Sequence, residues 1–416
     1  MIKEINQDKL HGIVCVPASK SDAQRALIAA SLCKGESVIR NCGSSSDVLH
    51  LIAALKKLGV EIIEITPYEL SVKGTGVFAS GELNFGESGL STRLMTSICA
   101  TQKGAFTITG EGSLLKRPMT FFETTLPEMG VKYHSDNGFL PIQLEGPIVA
   151  GNYTFNGSLS SQYISGMLMA LPLVSGESRI TVENLASGPY VEMTLRTLFN
   201  FGVEILRQDN QFIIGGNQHY LSNNQTVEGD WSAASYWLIA SALGQDISVD
   251  GLSLNSLQAD RRIIDLLELA NCSLEYHEHG IQVRGENRIA FEFDATDCPD
   301  LFPALVTLAS LTEGISRIKG IGRLTTKESN RALSLQIEFR KLGVDIRLED
   351  DYMFIHGKST INGGEVDSHN DHRIAMCLAI AGLFAQTSLQ IQGAEAVEKS
   401  YPAFWNDLES LKQKSI

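Results

Sequence analysis

Six stretches of this chain place small or apolar residues around nearly the whole circumference of a helix. The first covers residues 23–32, within PASKSDAQRALIAASL. The others are ESGLSTRLMTSICA, SLSSQYISGMLMALPL, GDWSAASYWLIASAL, CPDLFPALVTLASL and NDHRIAMCLAIAGL. A helix without a polar face belongs in an interior, so each is predicted to be buried. Comparable positions, Lys20, Leu90, Ser160, Trp231, Asp300 and Asp371, recur about every 70 residues, the mark of an internal repeat. Each buried helix leads into a strand-like segment closing in Gly or Asn: SVIRNCG, FTITGEG, RITVENL, ISVDGLS, SRIKGIG and LQIQGAE. An amphipathic helix follows, ending in Leu58-Gly59-Val60, Met129-Gly130-Val131, Phe201-Gly202-Val203 and Leu342-Gly343-Val344, while the fourth copy has Leu269-Ala270 instead. Alternating hairpins such as VEIIEITPYELSVKG and VDIRLEDDYMFIHGK complete the units.

The pattern predicts an α/β protein of six βαβαββ repeats, three per domain. The sixth repeat ends in the helix FWNDLESLKQKSI with no hairpin after it, and residues 1–16, two alternating segments around Gly12, are predicted to supply one. Residues 1–17 with 228–416 then form a discontinuous domain, and 18–227 an inserted one. If each domain buries its three helices, their N-termini converge, and the two ends are predicted to face an interdomain cleft.

Polar groups gather at those helix starts: Lys20, Ser21 and Arg25, then residues 88–93, Ser160 to Gln162, Asp230, Asp300, and Asp371 to Arg373. Pro17 cannot extend a strand ladder, and Ser19 or Ser21 is placed to cap the first helix. Free N–H groups and the partial positive charge of a helix start attract anions, and Lys or Arg adds full charges. Further charged spots lie in connections: Lys116-Arg117-Pro118, Ser187-Gly188-Pro189-Tyr190, Lys327-Glu328-Ser329-Asn330-Arg331 and Lys399-Ser400-Tyr401-Pro402. Together they point to the binding of two anions.

Composition narrows the setting. The 416 residues are 43% hydrophobic and 20% charged, as in a soluble globular protein, with no run that spans a bilayer and no signal-peptide pattern in MIKEINQDKLHG. A net charge of −14 argues against nucleic acid or an anionic membrane as partner, and makes the basic clusters stand out. The seven cysteines are scattered and odd in number, which fits a reducing cytoplasm. Glu275, His277 and His279 alternate along a predicted strand, where a surface hairpin outweighs a metal site; His369 and His372 flank Asp371 in an Asp-His-Arg context that favours substrate over metal. Glu228-Gly229-Asp230 reads as a structural cap near the crossing.

The motifs P-A-S-K-S-x-x-x-R-A-L, G-x-S-L-x-x-R-P-M, S-L-S-S-Q-Y, G-P-Y, E-G-D-x-S-A-A-S-Y, P-D, K-E-S-x-R, D-H-R-I-A-M and K-S-Y-P-x-F-W occur in order along the whole chain. In this combination the chain resembles the 5-enolpyruvylshikimate-3-phosphate synthase family. The resemblance implies two domains of three repeats closing over substrate, no metal or organic cofactor, and a monomer. It implies transfer of the enolpyruvyl group of phosphoenolpyruvate to the 5-hydroxyl of shikimate 3-phosphate, with release of phosphate. By motif position, Lys20, Ser21, Arg25, Ser160, Ser161, Gln162, Ser187, Tyr190, Asp300 and Lys327 would bind shikimate 3-phosphate. Lys20, Gly89, Arg117, Gln162, Arg331, Arg373 and Lys399 would hold phosphoenolpyruvate. Asp300 would orient or deprotonate the 5-hydroxyl, and Glu328 and Lys20 are the candidates to move the proton on and off the methylene carbon. His372 is a further candidate member of the site.

Three positions depart from the family pattern. Glu87-Ser88-Gly89-Leu90 stands where the family usually has Asn-x-Gly-Thr, placing a carboxylate near a phosphate-facing helix start. Gly188 replaces a basic residue, and Arg323 stands where an Asn is common. Glu87 and Arg323 are candidates to compensate one another. Two other readings stand beside the first: the sister enzyme acting on UDP-N-acetylglucosamine, and a non-catalytic anion-binding protein on the same fold. The sister enzyme typically carries a cysteine in the loop of Arg117, and residues 110–120 have none. A mere binder has no need of the acid–base groups Lys20, Asp300 and Glu328.

Overall fold

The computed structural model describes residues 1–278 and 280–412. Among the described residues there are twelve α-helices, odd-numbered ones buried and even-numbered ones amphipathic. In the first three repeats they are α1 (Lys20–Leu32), α2 (Ser46–Lys57), α3 (Gly89–Cys99), α4 (Thr120–Glu128), α5 (Ser161–Ala170) and α6 (Gly188–Asn200). The last three contain α7 (Trp231–Ala242), α8 (Ile263–Leu269), α9 (Phe302–Ser310), α10 (Arg331–Lys341), α11 (His372–Gly382) and α12 (Phe404–Leu411). Every residue of α3, α7, α9 and α11 is buried, as the absence of a polar stripe requires.

The chain divides into two compact units, Met1–Pro17 with Gly229–Ile416, and Ala18–Glu228. Glu228 falls in the second unit, where its backbone N–H donates to Asp22 Oδ2 (3.1 Å) and its carboxylate accepts from Arg196 (2.6 Å). Asp230 caps α7, its Oδ1 accepting from the Ala233 N–H at 2.9 Å. Ser19 stands at the N-cap of α1, but its side chain makes no capping bond among the described residues; its backbone carbonyl receives the Ala23 N–H instead.

Among the described residues, five of the six sheets have four strands with a common order: a first strand, a parallel second strand and an antiparallel hairpin outside it, the first two being joined through the buried helix except where strands are exchanged. Gly81–Asn84, Ala105–Thr109, Phe139–Glu145 and Lys132–Asp136 are one example. Where the buried helices of the first and fourth repeats begin, the strands are exchanged. His11–Cys15 precedes α1 in sequence yet runs parallel to Asp246–Asp250 of the fourth repeat. Gln225–Thr226 precedes α7, yet pairs with Gly35–Arg40 of the first.

The predicted N-terminal hairpin is therefore not one. Ile2–Ile5 pairs antiparallel with Leu389–Gln392 in the sixth sheet, which has three strands among the described residues, and His11–Cys15 goes elsewhere. Alternation marks both segments as strands; it does not carry the identity of their partners. The end of α8 supplies another substitution of means: Asn271, at φ 59°, takes the left-handed position that Gly59 (94°), Gly130 (85°), Gly202 (75°) and Gly343 (83°) fill elsewhere. Asn is the side chain that tolerates this conformation best.

Candidate active site

In the unit of residues 18–228, Lys20 opens α1 with its Nζ 2.9 Å from Asp47 Oδ2, at the start of α2. Both side chains are largely buried, at 14% and 10% exposure, so the ammonium is held rather than solvated. One turn on, Arg25 is fully enclosed. Its Nε donates to Thr194 Oγ1 (2.8 Å), Nη1 to the Ser21 carbonyl (2.8 Å) and Nη2 to the Tyr190 carbonyl (3.1 Å). Burial lowers this guanidinium to about 10, against the opposing charge of Asp22, so it remains a cation at neutral pH. Ser187 adopts the left-handed conformation (φ 57°) before α6, turning the chain sharply at Tyr190's helix start. Gly188 beside it faces open space.

A second cluster forms where α3 and α5 begin. Ser88 caps α3 through the Ser91 N–H, and Ser160 caps α5 through the Gln162 N–H (3.2 Å). Gln162 Oε1 accepts from Arg93 Nη1 at 2.6 Å, and the Arg93 guanidinium lies 5.0 Å from the Tyr163 ring centroid. Ser161 is buried beside them. Gly89 is required here by space: a Cβ would come within 2.8 Å of Arg93 Nη1 and 3.1 Å of Arg117 Nη1. Two guanidinium groups thus converge on the first turn of α3.

Glu87, awkward on sequence grounds, has donors within its own unit. Its Oε2 accepts from the Ser113 N–H (2.9 Å) and hydroxyl (2.6 Å), and Ser113 Oγ in turn accepts from Arg117 Nη2 (3.1 Å). The carboxylate therefore steadies the loop that carries Arg117. Leu90 packs into the core.

In the other unit the centre is Arg331, 1% exposed at the start of α10. Its Nη1 donates to Asp300 Oδ1 (2.6 Å), Nη2 to Glu328 Oε2 (2.6 Å) and Nε to Asp371 Oδ2 (2.7 Å). Burial opposes this charge, but the three carboxylates, Asp371 foremost, hold it more firmly than in an ordinary arginine. Asp371 also caps α11 through the Arg373 N–H (2.9 Å) and accepts from the Ser329 hydroxyl (3.1 Å). Asp300 lies just before α9, with Lys327 Nζ 3.3 Å from Oδ1 and Arg373 Nη2 3.1 Å from Oδ2. Burial alone would raise this carboxyl. Arg373, Lys327 and Arg331 together carry it well below the ordinary carboxylate range. Burial lowers Lys327, partly offset by Asp300.

Lys399 Nζ donates to the Asn370 carbonyl (2.7 Å), one residue before Asp371. The segment behind it is pinned: Trp237 Nε1 donates to the Tyr401 hydroxyl (3.2 Å), which donates to Asp407 (2.6 Å). His372 is 1% exposed, with Nδ1 3.8 Å from Asp371 Oδ1. Arg323 is held by burial below the ordinary arginine range, against the charges of Asp297 and Asp300 in its own unit. Glu275 and His277 sit on the hairpin of Ser273–His277, 3.6 Å apart and about half exposed, while His279 lies outside the described residues. Among the described residues, no group of three or more His, Cys, Asp or Glu is arranged to hold a metal ion.

Asp47, Arg93 and Asp371 belong to these clusters without having been assigned roles from sequence. Arg93 carried a legible signal, being an arginine inside an otherwise small and apolar helix, as Arg25 is. Asp47 carried less, because an Asp in the first turn of an amphipathic helix is commonplace.

Comparison with known proteins follows the same lines. The family profile described as EPSP synthase (3-phosphoshikimate 1-carboxyvinyltransferase) matches residues 5–408. The 3-phosphoshikimate 1-carboxyvinyltransferase of Clostridium kluyveri is 40% identical over 411 residues, covering 98% of this chain and 96% of the relative. That of Clostridium botulinum (strain Eklund 17B / Type B) is 37% identical over 418 residues, with the same coverage. The solved structure of EPSP synthase from Acinetobacter baumannii aligns over 99% of this chain and 98% of its own, with a TM-score of 0.83 at 26% identity.

Proposed function

This chain belongs to the EPSP synthase family, and from that premise we infer how its own residues divide the work of the family's reaction. The enzyme transfers the enolpyruvyl group of phosphoenolpyruvate to the 5-hydroxyl of shikimate 3-phosphate and releases phosphate, a step of aromatic biosynthesis. Lys20, Ser21, Arg25, Ser160, Ser161, Gln162, Ser187 and Tyr190, with Lys327 and Asp300, bind shikimate 3-phosphate. Lys20, Gly89, Arg117, Gln162, Arg331, Arg373 and Lys399 bind phosphoenolpyruvate, whose carboxylate and phosphate call for several cations. The seven free cysteines, six of them buried, support a reducing cytoplasmic setting.

One observation carries the assignment of the base: Asp300 is clamped by Arg331, Lys327 and Arg373, two of which are phosphoenolpyruvate ligands in this reading. With those cations around it and no substrate bound, Asp300 is ionised and weakly basic. An incoming phosphate and carboxylate draw on the same charges, which raises the basicity of Asp300 when substrate is present. Asp300 then takes the proton of the 5-hydroxyl as its oxygen bonds to C2 of phosphoenolpyruvate, and a proton reaches the methylene carbon to give a tetrahedral intermediate. Loss of that proton and of phosphate restores the double bond. Glu328, beside Asp300 on Arg331, and Lys20, on Asp47, are the two groups for the carbon-bound proton.

Asp300→Asn tests the reading. A positioned general base is worth roughly 10²–10⁴ in rate, so turnover falls by that range; a variant retaining more than about a tenth of the rate removes Asp300 from the chemistry. Deuterium wash-in at the methylene carbon, compared between Glu328→Gln and Lys20→Met, shows which of the two moves that proton.

A further inference from the structure

Asp260 is a buried carboxyl that the chemistry above does not use. It lies in the short helix Ala259–Arg262 and is 1% exposed. The segment is latched to the start of α7. Gln258 Oε1 accepts from the Trp231 N–H (3.1 Å), Gln258 Nε2 donates to the Gly229 carbonyl (2.8 Å), and the Ser232 hydroxyl donates to Asp260 Oδ2. The other oxygen, Oδ1, is buried without a hydrogen-bond partner among the described residues. A bare carboxylate oxygen in an interior is costly, and a proton on the carboxyl removes much of that cost.

The groups that act on Asp260 come from every side of the cluster. Asp230 stands at the start of α7, Asp300 and Cys298 precede α9, and Arg373 belongs to α11. Burial, then the charge of Asp300, pushes Asp260 up to about 7, against Arg373 and the Ser232 hydrogen bond, with Asp230 adding to the rise. Arg373 already gives Nη2 to Asp300, and its Nε is buried without a hydrogen-bond partner among the described residues. Its charge acts on both Asp300 and Asp260 before any substrate arrives.

We propose that Asp260 is a proton-holding positioning residue: neutral, it leaves the charge of Arg373 to the incoming phosphoenolpyruvate, and ionised, it competes with the substrate for that charge. The proposal rests on Arg373 being a phosphoenolpyruvate ligand. Binding of phosphoenolpyruvate then takes up a proton at Asp260. As pH rises through about 7, the KM for phosphoenolpyruvate climbs while kcat follows the separate acid–base groups of the reaction.

The test is the pH profile of KM for phosphoenolpyruvate from pH 6 to 8.5, in the wild-type enzyme and in Asp260→Asn, Ser232→Ala and Arg373→Gln. The substrates' own phosphates titrate near a pKa of about 6, but this is common to all the proteins and cancels in the ratio of wild-type to variant KM. Asp260→Asn is fixed in the neutral form, so the ratio rises about fivefold or more across the range, a typical size for coupling between sites. Ser232→Ala removes a hydrogen bond that favours the ionised form, and moves the climb to higher pH. A ratio that stays constant overturns the proposal. If Asp260→Asn fails to fold, Ser232→Ala decides, and an unmoved climb overturns it. Arg373→Gln separates the two levels: if it leaves KM unchanged, the assignment of Arg373 is wrong. If it raises KM while the Asp260→Asn ratio is flat, only the role of Asp260 falls.

Discussion

Lys20 shows what a single charge is asked to do. Its ammonium is largely enclosed and fixed by Asp47 at 2.9 Å, so it contributes a positioned charge with little reorganisation. Lys20→Met is expected to lose at least about a hundredfold in turnover with a native circular-dichroism spectrum, and with some fall in melting temperature because the largely buried Asp47 loses its cation. Arg331 makes a greater demand on stability. It is 1% exposed and neutralises Asp300, Glu328 and Asp371 at once. Arg331→Met leaves those carboxylates without their shared cation, and breaking one buried pair typically costs about 3–5 kcal/mol, so a clear drop in denaturation midpoint is expected together with loss of activity. Asp260 gives a sign to the pH dependence of stability. The fold keeps its proton up to about 7 where the unfolded chain loses it near 3.8. Its contribution is full below the lower value and declines as pH rises through the upper one. Denaturant melts of wild type and Asp260→Asn at pH 5 and 8 should therefore show the wild type losing more stability on going to the higher pH. Lys20, Arg25, Arg93 and Arg373 stand out in sequence because a Lys or Arg inside a small-apolar helix is anomalous, whereas Arg117, Lys327, Arg331 and Lys399 lie in connections or at an amphipathic helix and are proposed through the motifs alone. Asp260 was not legible, since a carboxylate in ADRRIID resembles any solvated helix start and only the fold reveals its burial.

At the scale of the element, the first turn of α3 explains why a glycine stands among arginines. A Cβ at Gly89 would meet Arg93 Nη1 at 2.8 Å and Arg117 Nη1 at 3.1 Å, both ends of flexible side chains. Gly89→Ala should fold normally but push those groups aside, raising the KM for phosphoenolpyruvate more than it lowers kcat, which steady-state kinetics checks directly. At the end of α8 the left-handed Asn271 stands in for glycine. Asn271→Ala should cost about 1 kcal/mol, the usual penalty for a Cβ-bearing residue in that conformation. The helices were legible because a period of 3.6 and a missing polar face identify type and burial together. The strand partners were not. His11–Cys15 and Gln225–Thr226 exchange sheets, and nothing in an alternating pattern of five residues or a pair names the strand it joins.

For the whole molecule, the repeat accounts for the distribution of function. Each repeat delivers one buried helix start, and the proposed ligands of both substrates are drawn from the 18–228 unit and from the unit of 1–17 with 229–416. Binding of shikimate 3-phosphate is therefore expected to strengthen phosphoenolpyruvate binding, a positive coupling that calorimetry of an inactive Asp300→Asn enzyme, with and without the first substrate, reads out. The central claim is tested more directly by phosphate release from phosphoenolpyruvate. The wild-type enzyme is supplied with shikimate 3-phosphate, with UDP-N-acetylglucosamine, or with neither. Rapid release with shikimate 3-phosphate alone, abolished in Lys20→Met, is the predicted result; release with the UDP-sugar, or none with either acceptor, would contradict it.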